Sequence, residues 1–266
     1  MDCFICNGSC SFYFEKRFEP PYDEHLGLVS YYRCSNCGFV ASRTHAALDS
    51  QSWEKINYLF HEFVESPRNK QTINQPPYIQ QALLLTVLSQ NRLLSLESVI
   101  DWAGGYGTLA ACAGKYFQEK IPVFEKYMQS PTIRYVAQED LERYQTVISS
   151  AVFEHVTKRA YLDEIDRCVA DDGCLVLHTV VCEDIPRDPT WFYFLPVHCA
   201  FHTNRSMEIL MHQWGYCSSV YCPSAKSWVL FKDRNTQMSR DAVSLINSEL
   251  QSTYLYYKDG FMDYWK

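Results

Sequence analysis

The chain has 266 residues, a net charge of −7, 47% hydrophobic and 21% charged residues, a balance that belongs to folded globular proteins and excludes a disordered or fibrous one. The acidic balance argues against a nonspecific grip on nucleic acid, which needs clustered Lys and Arg to neutralise phosphates. No stretch reaches the ~18–20 apolar residues of a membrane span, and the start MDCFICNGSC lacks the charged and apolar regions of a signal peptide, so a cytoplasmic location is expected.

Of 12 cysteines, five crowd into residues 3–37 and the others are scattered through apolar or mixed segments. That split points to metal at one end and buried thiols elsewhere. Cys3-Phe4-Ile5-Cys6 and Cys34-Ser35-Asn36-Cys37-Gly38 are two C-x-x-C pairs with residues 7–33 between them. Two intervening residues form a tight turn that presents both thiolates to one tetrahedral ion, and two pairs complete its shell. The expectation is a structural zinc held by Cys3, Cys6, Cys34 and Cys37. A redox dithiol and unconnected thiols are the alternatives, and Cys10 is a stand-in ligand. Tyr31 and Tyr32 predict a short strand before the second pair.

Trp53, Ile56, Leu59, Phe60 and Phe63 recur at helical spacing, and residues 78–94 repeat the pattern. The polar, proline-containing stretch at 66–77 breaks these two helices and reads as a linker or lid. From residue 98 the chain alternates short β-rich runs with helical ones, as a parallel sheet covered by helices does. The predicted strands are 99–103, 122–125, 133–137, 146–152, 174–181, 217–222 and 228–232. Helices are predicted at 109–117, 160–170, 206–214 and 240–250. The expected architecture is an α/β, doubly wound, mostly parallel seven-stranded sheet with a small N-terminal zinc knuckle. It divides into a knuckle (1–45), a helical linker or lid (46–97), a ligand-binding domain (98–235) and a helical, aromatic C-terminal extension (236–266).

Ser98 to Gly107 places Gly104, Gly105 and Gly107 between a β-branched strand and an apolar helix. Glycines let backbone pass close to a ligand, and the helix start offers unpaired N–H groups to an anionic or zwitterionic one. Asp101 ends the first strand, and Glu125 ends the next β run, where a carboxylate can accept hydrogen bonds from ribose hydroxyls. Residues 104–109 read GGYGTL and lack the last glycine of the dinucleotide fingerprint; no G-x-x-x-x-G-K-[ST] run exists.

These residues resemble the class I S-adenosylmethionine-dependent methyltransferases. Asp101-Trp102-Ala103-Gly104-Gly105-Tyr106-Gly107 is similar to their first motif, D-x-G-x-G-x-G, with Ala103 in place of the first glycine. Val123 to Tyr127 resembles the second motif, and Val147 to Val156 the fourth strand and the loop after it. Tyr161 to Ile165 with Gly173 to Leu177 looks like the following helix and fifth strand. With the cysteine pairs added, the chain resembles bacterial glycan- and sugar-pathway methyltransferases, as do 191–194, 198–201 and 256–261. The resemblance implies S-adenosylmethionine over Asp101, Gly104, Gly105, Gly107, Glu125 and Ser150, with Gln138 and Asp140 at the rim of the adenine pocket. Only residues 126–132 separate Glu125 from Ile133, too few for the family's second crossover helix, and 138–145 is equally brief.

Methyl transfer is an in-line displacement in which the protein aligns the acceptor and removes its proton. His155, with Glu154 beside it, follows the fourth strand, where an open α/β sheet forms its ligand crevice. Glu154 and His155 could instead fix the loop or touch the cofactor. His198 and His202 lie in a second segment with Trp191 and Tyr193, an aromatic run suited to stacking on a sugar face; both are candidate acceptor contacts, His198 the stronger, with satisfied structural histidines as the alternative. The resemblance implies a small-molecule acceptor, a sugar, nucleotide-sugar or glycan precursor, methylated at oxygen or carbon. The competing functions are a methyltransferase for protein or RNA with the knuckle as recognition module, and a noncatalytic adaptor retaining the fold.

Overall fold

The computed structural model describes residues 2–65, 69, 75–232 and 236–263, so most of the expected linker at 66–77 lies outside the described residues. The N-terminal part forms strands β1 (Cys10–Arg17), β2 (Leu28–Cys34) and β3 (Val40–Ser42), then helices α1 (Arg43–Ala46), α2 (Ser50–Glu65) and α3 (Tyr78–Gln90). Next come β4 (Val99–Trp102), α4 (Thr108–Cys112) extended by a π-turn at Ala113–Phe117, β5 (Val123–Phe124), β6 (Tyr135–Val136), β7 (Tyr144–Ser150), α5 (Arg159–Arg167) and β8 (Val169–His178). The chain closes with β9 (Val181–Cys182), β10 (Ala200–Thr203), α6 (Asn204–Gln213), β11 (Ser218–Cys222), β12 (Ser227–Phe231), α7 (Thr236–Glu249) and β13 (Tyr256–Asp259).

The main sheet runs β13-β11-β12-β8-β7-β4-β5-β6. Strands β8, β7, β4, β5 and β6 are mutually parallel, and β12, β11 and β13 join antiparallel beyond β8. Its strands are near-continuous apolar runs because helices cover both faces. Alternate side chains feed separate cores: Ile100, Trp102 and Val147 pack with Leu162 of α5 and Met207 of α6, whereas Val99 and Ile148 pack with Leu84 of α3 and Leu109 of α4. The chain leaves β4 toward β5 on one side and returns to β7 on the other. The crevice above the carboxyl ends of β4 and β7 is therefore the switch point at which such sheets bind ligands.

An α/β sheet covered by helices is what the alternating pattern predicted, with three differences in detail. An eighth strand, β13, pairs with β11. Its mixed, mostly exposed residues carry no period-two signal. The predicted strand 174–181 ends at His178, and Val181–Cys182 instead pairs with β10. The helix predicted to reach Ala170 stops at Arg167, because Val169 already pairs with Tyr144 of β7. Between β5 and β6 there is no helix, as the short spacing required.

The second sheet, β1-β2-β3-β10-β9, joins the two ends of the sequence. β3 pairs with β10, and Ser42 N–H donates to the Cys199 carbonyl at 2.8 Å. Phe14, Val29 and Tyr31 form a third core with Phe194, Val197 and Phe201. Among the described residues no helix is long and apolar enough to cross a membrane.

Candidate active site

The turn after β4 is built by steric necessity. A Cβ on Gly104 would stand 2.5 Å from Asp101 Oδ2 and one on Gly107 2.8 Å from the Ile133 side chain, with Gly107 also at φ +71°. Ala103 takes φ 57°, a left-handed conformation that costs an alanine about 1 kcal/mol and explains why glycine suits that place in the motif. Gly107 caps α4, and no side chain caps the helix's first N–H groups.

Glu125 ties the turn to the end of β5. Its Oε2 accepts from Gly105 N–H at 3.0 Å and its Oε1 from Tyr127 N–H at 2.9 Å. A carboxylate offers about four acceptor positions, so two remain. Asp101 is buried, and its Oδ1 has no hydrogen-bond partner among the described residues. Burial, with the Glu125 carboxylate second, pushes its acid up to about 7. A position above Gly105 is open, with nothing within 4 Å of a Cβ there. Two carboxylates, one unsatisfied, beside an open backbone turn fit a ligand with a positive ammonium and sulfonium and a ribose, as S-adenosylmethionine has. Gln138 and Asp140 lie on an exposed single turn after β6. Ser150 ends β7, its hydroxyl engaged by the Gln81 amide of α3 at 3.2–3.3 Å.

At the end of β7, Glu154 is buried and its oxygens accept from the Thr179 hydroxyl at 2.9 Å and the Tyr193 hydroxyl at 2.7 Å. Burial raises its pKa, partly offset by those donors. It thereby ties the β7 loop to the segment after β8. His155 packs edge-on to His198 at 5.0 Å and stacks on His61 of α2 at 5.8 Å. Burial holds His155 well below the usual imidazole range, the neighbouring imidazoles acting in the same direction, and brings His198 down to about 3. Both rings are neutral near pH 7. The His198 Nδ1 lies 2.8 Å from the Tyr193 carbonyl, which places its proton there and its lone pair on Nε2. Helix α2 thus lies across the crevice, with Phe60 also against His198.

The structure brings Glu154, His155 and His198 together but turns other predicted groups inward. Trp191, Tyr193 and Phe194 stack on one another and on Phe201 and the N-terminal sheet; Phe192, 66% exposed, is the ring of that segment left for solvent. His202 is 0% exposed between Phe39 and Phe153, walled off from the crevice. Sequence reasoning missed His61 and Thr179: neither stands in a motif, and only the tertiary fold sets them beside His155 and Glu154. A groove of about 690 Å³ opens on the flank of α4, lined by Tyr106, Thr108, Lys115 and Thr132, and does not include the histidines.

In the N-terminal module the sulfurs of Cys3, Cys6, Cys34 and Cys37 all lie within 4.8 Å of one another. Cys3 and Cys37 are 3.7 Å apart and Cys6 and Cys34 3.5 Å. A Zn–S length of ~2.3 Å at tetrahedral angles sets sulfurs about 3.8 Å apart, so the quartet fits zinc. Cys10 stands outside it, bonded only weakly toward the Gly8 carbonyl.

A family profile described as a methyltransferase domain matches residues 60–217. No curated protein matches the chain. Among solved structures it is similar to the plantazolicin methyltransferase BamL in complex with a desmethylPZN analog and SAH, at 12% identity over 78% of this chain and 95% of that one, TM-score 0.44. It is also similar to Streptomyces venezuelae DesVI, at 14% identity over 69% and 98%, TM-score 0.39. A third is magnesium protoporphyrin IX methyltransferase from Synechocystis PCC 6803 with bound SAH, at 15% identity over 65% and 97%, TM-score 0.37. With the profile spanning more than half of its residues, the chain belongs to the methyltransferase-domain family and is an S-adenosylmethionine-dependent methyltransferase.

Proposed function

We propose that this methyltransferase acts on a small sugar-containing acceptor, a nucleotide-sugar or glycan precursor, with His155 facing the transferred methyl. The observation that carries the reading is the pair of neutral rings, His155 and His198, 5.0 Å apart at the carboxyl end of β7 beneath α2. An uncharged imidazole there can accept the acceptor's proton, or orient its hydroxyl, while the acceptor atom takes the methyl carbon and the S–C electron pair stays on sulfur. An enclosed polar floor suits a small oxygen-bearing acceptor better than a macromolecule. The sugar assignment itself rests on the resemblance of the cysteine pairs and later motifs to sugar-pathway methyltransferases, since the Trp191 and Tyr193 rings are spent on internal packing.

In this reading Glu125 accepts from the ribose hydroxyls, Asp101 faces the positive end of the donor, Gln138 and Asp140 rim the adenine, and Ser150 closes the floor. Glu154 positions the loop. Cys3, Cys6, Cys34 and Cys37 hold one structural zinc, whose closed shell leaves no place for water and so serves folding. The divisions at 45, 97 and 235 mark off metal module, lid, donor domain and extension along the chain, with packing shared across each bound: β3 pairs with β10, α3 packs with Val99 and β13 pairs with β11. None of the twelve cysteines is in a disulfide, which fits the reducing cytoplasm. A protein- or RNA-recognising knuckle is disfavoured because β3 spends its edge on β10.

The test begins with a crystal of the S-adenosylhomocysteine complex soaked with nucleotide-sugars. The His155 ring is expected beside the cofactor sulfur, and His155→Ala is expected to lower turnover by about 10²–10⁴-fold with cofactor affinity nearly intact. A ring remote from the sulfur, or weakened cofactor binding with modest loss of turnover, overturns the role of His155.

A further inference from the structure

We infer that Glu154, His155 and His198 form a divalent-cation site on the floor of the acceptor crevice, through one Glu154 oxygen, the His155 ring and His198 Nε2. The inference rests on the crevice being the acceptor site and assigns how that site grips its ligand. The ligand atoms of the three residues all lie within 4.8 Å of one another. Among the described residues, the cysteine quartet is the other group of this kind.

The surroundings are those of a metal site's outer shell. The Tyr193 carbonyl, 2.8 Å from His198 Nδ1, fixes the tautomer and frees Nε2, as the second nitrogen of a ligating histidine is usually fixed. Thr179 and Tyr193 each donate to a different Glu154 oxygen, which orients the carboxylate and leaves lone pairs on both. Those donors are neutral hydroxyls, so they do not balance a carboxylate only 2% exposed. A buried carboxylate without a counter-charge is costly, and a cation between it and the two rings supplies one. The His155 ring has only ring contacts, to His61 and His198, among the described residues. Its nitrogens are left for a ligand.

Two imidazoles and one carboxylate on one side of an ion leave positions open on the other. Metal–ligand lengths of ~2.1 Å place such donors about 3.0–3.5 Å apart, within reach of small rotations of the two rings. The mixed nitrogen and oxygen set favours manganese, iron, cobalt or zinc over calcium. The open side faces the acceptor, so the ligand class is a molecule with two adjacent oxygens able to chelate. His155 then orients the acceptor through the ion and is not itself the base.

The experiment uses the full chain with its cysteine site filled by zinc, titrated with Mn²⁺ and followed by the loss of the free-ion EPR signal. One Mn²⁺ per chain is expected, with affinity falling at least ~10-fold in His198→Ala. If His198→Ala does not fold, the pulsed EPR spectrum of the wild-type complex decides: imidazole nitrogen modulation from two rings supports the site. No binding at millimolar Mn²⁺, binding indifferent to His198→Ala, or a complex without imidazole modulation overturns it. Metal-independent turnover that still collapses in His155→Ala overturns the metal and leaves the acceptor crevice standing. A cofactor sulfur remote from His155 in the soaked crystal fails the crevice reading instead.

Discussion

The proposed donor half of the crevice and the proposed acceptor half are assembled in opposite ways. The donor half is local: Asp101, the glycines and Glu125 come from two adjacent strands and the turns after them, held by contacts such as Gly105 N–H to Glu125 and the Tyr135 hydroxyl to the Gly105 carbonyl at 3.0 Å. The acceptor half is held from the far end of the chain. The Tyr13 hydroxyl donates to the Ile185 carbonyl at 2.8 Å, Lys16 Nζ to the Phe194 carbonyl at 2.6 Å, and His45 Nε2 lies 2.9 Å from the Pro196 carbonyl. Arg33 pairs with Asp184 at 2.7 Å. The N-terminal sheet is therefore the scaffold of the acceptor wall, and a defect there should reach His198 without touching the donor turn.

The largest effect should come from the cysteine quartet. Cys34→Ser is expected to cost more than about 3 kcal/mol, because metal binding in small zinc modules contributes on the order of 10 kcal/mol to folding. Amide exchange should rise through β1–β3 and residues 183–199 while β4, β7 and β8 stay protected. Exchange confined to residues 1–45 would mean that the acceptor wall stands without its scaffold. A smaller, opposite effect is expected at the donor turn. Gly104→Ala brings a Cβ to 2.5 Å from Asp101 Oδ2 and 2.9 Å from Val123 Cγ1, overpacking of about 2 kcal/mol, or roughly 30-fold in S-adenosylmethionine affinity by calorimetry. Protection of residues 183–199 should not change; if it does, the halves are coupled.

The same contrast governs what the sequence discloses. Asp101, the glycines, Glu125 and the strand–helix alternation follow from motifs in which neighbours in sequence are neighbours in space. Two C-x-x-C pairs likewise announce one cluster. Nothing local announces that β3 reaches β10, that Trp191 and Tyr193 are core rings and not stacking platforms, or that His61 covers His155. Those facts depend on which distant apolar faces bury one another, and an aromatic run reads alike whether its partner is a ligand or a strand. β13 escaped for a related reason: an edge strand with exposed side chains has no burial pattern to read.

The smallest effect is a proton. Asp101, buried beside Glu125, ionises near 7 instead of its ordinary 3.8. A carboxyl whose folded value is raised contributes stability that is present at low pH and lost as pH rises from about 4 through 7, so the free protein should weaken across that window. A donor carrying a sulfonium and an ammonium beside the same carboxyl favours its charged form. Binding then expels the proton, and S-adenosylmethionine affinity should rise with pH, by up to about tenfold per unit below 7, by about threefold per unit around 7, and not at all well above it. Calorimetry at pH 6.5 in two buffers of different ionisation enthalpy should record proton release, and Asp101→Asn should abolish it. Release that persists in Asp101→Asn would move the titration to another group. Its absence in the wild type would mean that Asp101 does not face the positive end of the donor, and the local half of the crevice would then lack the charge complementarity that distinguishes it from the neutral histidines across the cleft.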